Sequence, residues 1–193
     1  MGHTEIYARE DCIRREKPRL KRSGRRTENP PALAVGSVKS IEKVKAYFES
    51  IGEAERILTF DESTATVQLA AEALGVTPGH IAKTLSFLVD GKPLLIVLAG
   101  DARMDNHKFK EAFQKKGRMI PASDVEALVG HAPGGVCPFC VKEDVPVYLD
   151  ISLQEYETVY PAAGDDHSAV RMTPKELCVF AHAVGWVDIH KEV

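Results

Sequence analysis

The sequence predicts an α+β domain, a mixed and largely antiparallel sheet flanked by helices. Three observations carry this expectation. The run KTLSFLVDGKPLLIVLAG sets two apolar, partly β-branched stretches on either side of Asp90-Gly91, the residue pair that favours a tight hairpin turn. Helical and strand-like segments then follow one another without the regular alternation that builds a parallel sheet. The 193 residues are 44% hydrophobic, enough for one core, and no internal repeat divides them.

The elements follow in order. Residues 1–36 hold nine Lys or Arg against five Asp or Glu, are broken by Pro and Gly, and show no sustained apolar period. They are expected as a disordered basic leader outside a domain spanning 37–193, with an RNA-contacting arm as the alternative to a solvated tail. Val38, Ile41, Val44, Tyr47, Phe48 and Ile51 recur at helical spacing, and Gly52 stands where a left-handed cap would end that helix. RILTF at 56–60 reads as a short strand. Ser63 is the expected cap of a helix carrying Val67, Ala70, Ala71 and Leu74, which stops at Gly75. The hairpin comes next and should be central to the sheet. Asp105 caps NHKFKEAFQKK, whose stripe is Phe109, Ala112 and Phe113, with Gly117 as its end. A short helix fits 123–129, strands fit 146–153, 158–164 and 168–172, and Pro174 opens a last helix at its first turn.

Charge and composition exclude several functions. The whole chain carries −3 and the leader +4, which leaves −7 on the rest. A body this acidic cannot grip a long nucleic acid through a broad basic face, because neutralising phosphates drives such binding. No apolar run approaches the ~18 residues of a membrane span, and the N-terminus lacks a secretory apolar stretch, so a cytoplasmic protein without a membrane partner is expected. Four cysteines in such a chain argue for thiols rather than a disulfide framework.

Three stretches could carry chemistry. Lys83 stands at the entrance of a core strand, where an ammonium must meet an anion or reach water, and Thr84 beside it can donate a hydrogen bond. A snorkelling lysine is the plainer alternative. In GHAPGGVCPFC, Gly130, Gly134 and Gly135 permit close backbone approach while Pro133 and Pro138 stiffen the loop, so successive N–H groups could face an oxyanion; a tight turn without a ligand fits equally. Cys137 and Cys140 have the spacing of half a zinc site or of a redox pair, but only His131 and His167 could supplement them, and no second Cys-x-x-Cys exists. Asp165, Asp166 and His167 after Gly164 could act as general bases or form a solvated turn.

Taken together, AKTLSFLVDGKPLLIVLAGDARMD, GHAPGGVCPFC, VPVYLDISL and VYPAAG, in this order and spacing, resemble the YbaK/EbsC family, aminoacyl-tRNA deacylase domains related to the editing insertion of bacterial prolyl-tRNA synthetase. The resemblance covers roughly 38–190 and is most specific at Lys83-Thr84-Leu85 and in the 130–139 loop. It implies an α+β fold and hydrolysis of the ester joining a wrong, small amino acid to the 3′-terminal adenosine of a tRNA. It implies that Lys83 holds the substrate near the terminal phosphate or carbonyl, and that the amides of Gly130, Gly134 and Gly135, with Pro133, Val136, Cys137 and Pro138, surround the aminoacyl group. Gly164, Asp165, Asp166 and His167 fall in a further substrate-binding stretch. No cofactor, no metal and no protein nucleophile is implied: a positioned water or a group of the substrate attacks. The family accepts Ser, Gly or Ala where Cys137 and Cys140 stand, which favours the cradle over the thiols. The implied partner is the tRNA 3′ acceptor end, an aminoacyl-tRNA synthetase being a further one, and a monomer is expected. The sequence departs from the cysteinyl-tRNA deacylase branch at Ala162, where that branch begins Ser-Ala-Gly, so the amino acid stays open among Ala, Cys, Ser and nonprotein analogues. A noncatalytic tRNA-binding or regulatory module, and a thiol oxidoreductase using Cys137 and Cys140, are the competing readings.

Overall fold

The computed structural model describes residues 7, 8 and 39–191, so the leader expected over 1–36 lies outside the described residues apart from Tyr7–Ala8. Those two residues form β1. After them come α1 (Ser40–Ser50), β2 (Ile57–Thr59), α2 (Val67–Leu74), β3 (Ile81–Val89), β4 (Lys92–Ala99), α3 (Asn106–Phe113) and β5 (Arg118–Met119). The chain continues with α4 (Ala122–Val129), β6 (Val147–Asp150), β7 (Tyr160–Pro161), β8 (Ser168–Val170), α5 (Pro174–Phe180) and β9 (Gly185–Val187). None of the described helices is long and apolar enough to cross a membrane.

The main sheet is mixed and runs β1-β9-β6-β4-β3-β5, with β7 also on β3, while β2 and β8 pair separately. Its longest ladder is the expected hairpin: β3 and β4 pair antiparallel from Ala82↔Ala99 to Val89↔Lys92. Asp90 and Gly91 take φ of 49° and 77°, the two positive values that a turn matching strand twist requires. β6 joins β4 and β9 in parallel, and β5 and β7 meet the other edge of β3. β4 is buried from Leu94 to Ala99 because helices and loops cover both its faces. Val44 and Phe48 of α1 are fully buried in the same core, and Phe48 stacks edge-on against Phe139 at 5.1 Å. That contact fastens α1 to the glycine-rich loop.

Several boundaries differ from the sequence reading, each for a local reason. Thr66, not Ser63, caps α2 by accepting from Leu69 N, because Ser63 Oγ is spent on Ala65 N and Asp166 Oδ2, both at 3.3 Å. Asp105 caps α3 as expected, but the helix stops at Phe113 with Gln114 in the left-handed region, and Gly117 instead lies flat against the Phe109 ring. The strand expected over 146–153 ends at Asp150, whose Oδ1 accepts from Ser152 N and starts a 3₁₀ turn over Ile151–Glu155. The strands expected over 158–164 and 168–172 shrink to β7 and β8, with bridges at Val159↔Met172 and Ala162↔Ala169. Pro174 does open α5, and Thr173 and Glu176 close a capping box there.

Candidate active site

β3, the 130–139 loop and the β7–β8 turn converge on one cavity of about 240 Å³. Ala82, Lys83 and Thr84 line it from the strand, Gly134 and Val136 from the loop, and Thr66, Val67 and Ala70 from the start of α2. Tyr160, Ala162, Ser168 and Ala169 close the remaining side. A larger groove of about 520 Å³ lies behind the loop, between Tyr47, Pro138, Cys140 and Phe180, but neither Lys83 nor Thr84 reaches it. The smaller cavity is the candidate site, since convergent polar groups mark a site more than volume does.

Lys83 is half-buried. Its Nζ donates to Gly100 O at 3.0 Å and to the Ala102 carbonyl, so the turn after β4 holds the ammonium in place. An ammonium carries three hydrogens, and this arrangement leaves one for a ligand. Burial pulls the Lys83 pKa below the ordinary lysine value, while Asp101 opposes the shift. Asp101 in turn accepts from Tyr156 Oη at 2.7 Å, and burial, reinforced by that bond, pushes the phenol up to about 12.

The loop is built backbone against backbone. Gly130 caps α4 with φ of 98° and Gly134 takes φ of 87°, conformations that favour glycine. Gly135 is glycine for another reason: a Cβ there would lie 2.5 Å from Gly164 O. Gly164, with φ of 101°, is itself pressed against Ser40 and Ile41 at the start of α1. The glycine loop, the β7–β8 turn and the first turn of α1 are thus stacked with no side chain between them.

His131, which the sequence reading used only as a spare zinc ligand, holds the loop together. It is fully buried, and burial lowers its pKa, which keeps the ring neutral. Nε2 lies 2.6 Å from Phe139 O, so it carries the proton and ties the two ends of the loop together, while Nδ1 is left without a partner among the described residues. Its place inside the glycine motif, beside a helix cap, was the available signal. Pro133 is exposed at the loop tip and Pro138 is buried facing the larger groove.

Neither Cys137 nor Cys140 has the lowered pKa of an activated thiol. Cys137 is fully buried with Sγ 3.6 Å from both His131 Nε2 and Phe139 O, and burial pushes its thiol far up. Cys140 donates to Lys43 O at 3.6 Å, and burial raises it as well. A reactive thiol needs the opposite shift. Both are free thiols. Among the described residues the group with metal-ligand potential is Asp150, Asp188 and His190, and there Lys108 Nζ already pairs with Asp188 at 2.9 and 3.1 Å.

Asp165, Asp166 and His167 form a self-bonded turn beside the cavity rather than its lining. Asp165 Oδ1 accepts from His167 N at 3.1 Å and from Ser168 Oγ. Asp166 Oδ1 takes His167 Nδ1 at 2.8 Å, which leads the interactions that lower the Asp166 pKa, and its carbonyl accepts from Thr64 N at 2.6 Å. The turn therefore fixes Ser168 and Thr64, the residues that do face the cavity.

Residues 61–180 match the family described as the aminoacyl-tRNA editing domain. YwhH of Bacillus subtilis (strain 168), an uncharacterized protein, is 43% identical over 154 residues, which is 79% of this chain and 98% of that protein. A candidate Cys-tRNA(Pro)/Cys-tRNA(Cys) deacylase, EbsC of Enterococcus faecalis (strain ATCC 700802 / V583), is 31% identical over 61% of this chain and 73% of its own. The crystal structure of a candidate trans-editing enzyme for prolyl tRNA synthetase superposes with a TM-score of 0.72 at 30% identity, covering 79% of this chain and 98% of that one. The glycine cradle and strand lysine sit inside the matched span, and the chain belongs to the aminoacyl-tRNA editing domain family, in its YbaK/EbsC group.

Proposed function

We propose that this protein deacylates mischarged aminoacyl-tRNA, cleaving the ester between a small amino acid and the 3′-terminal adenosine. The observation that carries the reading is the convergence of the Lys83 ammonium, the strand β3 and the Gly134–Val136 backbone on one cavity of about 240 Å³. Among the described residues its lining contains Thr and Ser hydroxyls but no Cys, His, Asp or Glu. That composition suits an already activated ester, for which orientation and stabilisation of the developing oxyanion supply most of the acceleration. In this reading a bound water or the neighbouring ribose hydroxyl attacks the carbonyl. Lys83 directs its remaining N–H to the carbonyl oxygen or the terminal phosphate, and the Gly130–Pro138 loop excludes bulk water. Val67, Ala70, Val136 and Ala162 give the cavity apolar walls that discriminate by size, at roughly 1–3 kcal/mol per methylene. Only the tRNA 3′ end has to enter, so the acidic body is no obstacle.

The test is release of amino acid from a panel of mischarged tRNAs, with wild type beside Lys83→Ala. Lysine-dependent hydrolysis of one or a few pairs is expected. Equal hydrolysis by the variant overturns the role of Lys83, and no hydrolysis of any pair favours a noncatalytic tRNA-binding module.

A further inference from the structure

The outer edge of β3 has a gap. β7 pairs with it at Ile81 and Ala82, and β5 at Phe87 and Leu88, but between these points none of the described strands covers it. The ladder dictates which peptides face that gap. The two-residue turn makes Val89 and Lys92 a hydrogen-bonded pair, so odd residues of β3 exchange bonds with β4 and even residues turn their N–H and C=O outward. Ser86 fixes the phase, since its carbonyl accepts from Ile120 N at 3.0 Å on the outer side. Thr84 is thus the residue whose N–H and C=O both look into the gap, and neither finds a partner among the described residues. Its Oγ1 is buried without a partner too.

The cavity lies at this same place, with Gly134 and Val136 facing Thr84. An unpaired strand edge is a template for a second backbone, and leaving it dry costs free energy. The complementary group carries a donor and a carbonyl on one tetrahedral carbon. An α-aminoacyl ester is such a group.

We propose, building on the deacylase reading, that the main-chain N–H and C=O of Thr84 recognise the α-aminoacyl group as a one-residue strand pairing. The Thr84 carbonyl accepts from the α-ammonium, and the Thr84 N–H donates to the ester carbonyl oxygen. Two bonds to the main chain of one residue, from the peptides on either side of the Thr84 Cα, fix the plane of the ester and the direction of the amino-acid side chain. Recognition of the backbone part of the substrate is then independent of which side chain fills the apolar pocket.

The experiment uses the full chain and paired tRNA esters: L-alanyl, L-seryl and L-cysteinyl beside propionyl, 3-hydroxypropionyl and 3-mercaptopropionyl, which lack only the amino group. Each rate is divided by the spontaneous hydrolysis of the same ester. Loss of the charged donor is expected to lower turnover roughly tenfold or more, the size of a charge-assisted hydrogen bond. Equal turnover of an amino ester and its deaminated partner overturns this inference and leaves the deacylase reading standing. No turnover in either series overturns the deacylase reading itself. A second variant, with Thr84 replaced by its α-hydroxy analogue, removes the peptide N–H while keeping the side chain. It is expected to lower turnover of both series by about tenfold, and unchanged turnover overturns the assignment to Thr84.

Discussion

Substituting Gly135 by alanine tests the stacked backbone that shapes the cavity. The new Cβ would stand 2.5 Å from Gly164 O, 2.8 Å from Gly164 C and 3.0 Å from Asp165 Cα, all main-chain atoms that no rotamer change can clear. Ordinary contact begins near 3.4 Å, so the two segments must separate by about 0.9 Å. Gly164 cannot retreat, because Ser40 and Ile41 lie directly behind it. The displacement therefore falls on the 134–136 segment that walls the cavity. Overpacking of this kind costs about 1–3 kcal/mol, which for a chain of this length lowers Tm by about 2–12 °C. A misplacement near 1 Å at a reacting site costs about a hundredfold in rate. The assay is deacylation of the best substrate beside a thermal melt. Gly91→Ala serves as control: it has open space around it and φ of 77°, so it carries a backbone strain of about 1 kcal/mol and leaves turnover intact. Gly135→Ala with wild-type turnover and melting would refute the reasoning.

Other outcomes follow from the same geometry. Because burial lowers the Lys83 pKa, its charged form is lost below the usual lysine value of 10.5, so turnover divided by spontaneous hydrolysis should fall on the alkaline side with a midpoint under that value. A profile flat to pH 10.5 would show that the ammonium is not needed. The double variant Cys137→Ala, Cys140→Ala should keep its deacylase activity while losing some stability at the buried position; loss of activity in a folded protein would revive the thiol reading. Against its own burial, the Thr173 N–H and Arg56 hold the Glu176 carboxyl below the ordinary range. A lowered carboxyl pKa contributes stability above its unfolded value and loses it as pH falls through the folded one, so Glu176→Gln should reduce the acid-side loss of Tm. Thr173→Ala, which removes the other half of that cap, should cost about 1 kcal/mol in chemical denaturation at any pH.

Elements whose determinants are near neighbours were legible in the sequence. Asp90-Gly91 specifies its own turn, Asp105 caps α3 with two N–H bonds, and Thr173 to Glu176 start α5, all through contacts three residues apart or fewer. The glycine motif was legible as a close-packed backbone loop, since Gly130 and Gly134 take positive φ and a Cβ at Gly135 would meet Gly164 O. What the tertiary structure decided was which of several equivalent residues is used. Ser63 and Thr66 are both good caps, and the bond from Ser63 to Asp166, 103 residues away, leaves the cap to Thr66. Asp165 and Asp166 were expected in a substrate-binding stretch, but their carboxylates bond within their own turn, and Ser168 lines the cavity instead. His131 found its bond only when Phe139 folded back over it, and the open main-chain N–H and C=O of Thr84 exist only because β7 and β5 stop short of each other along β3. Propensity and capping act within a few residues and are written in the chain. Unpaired edges, orphaned nitrogens and backbone-to-backbone packing are properties of distant segments brought together, and only the folded molecule holds them.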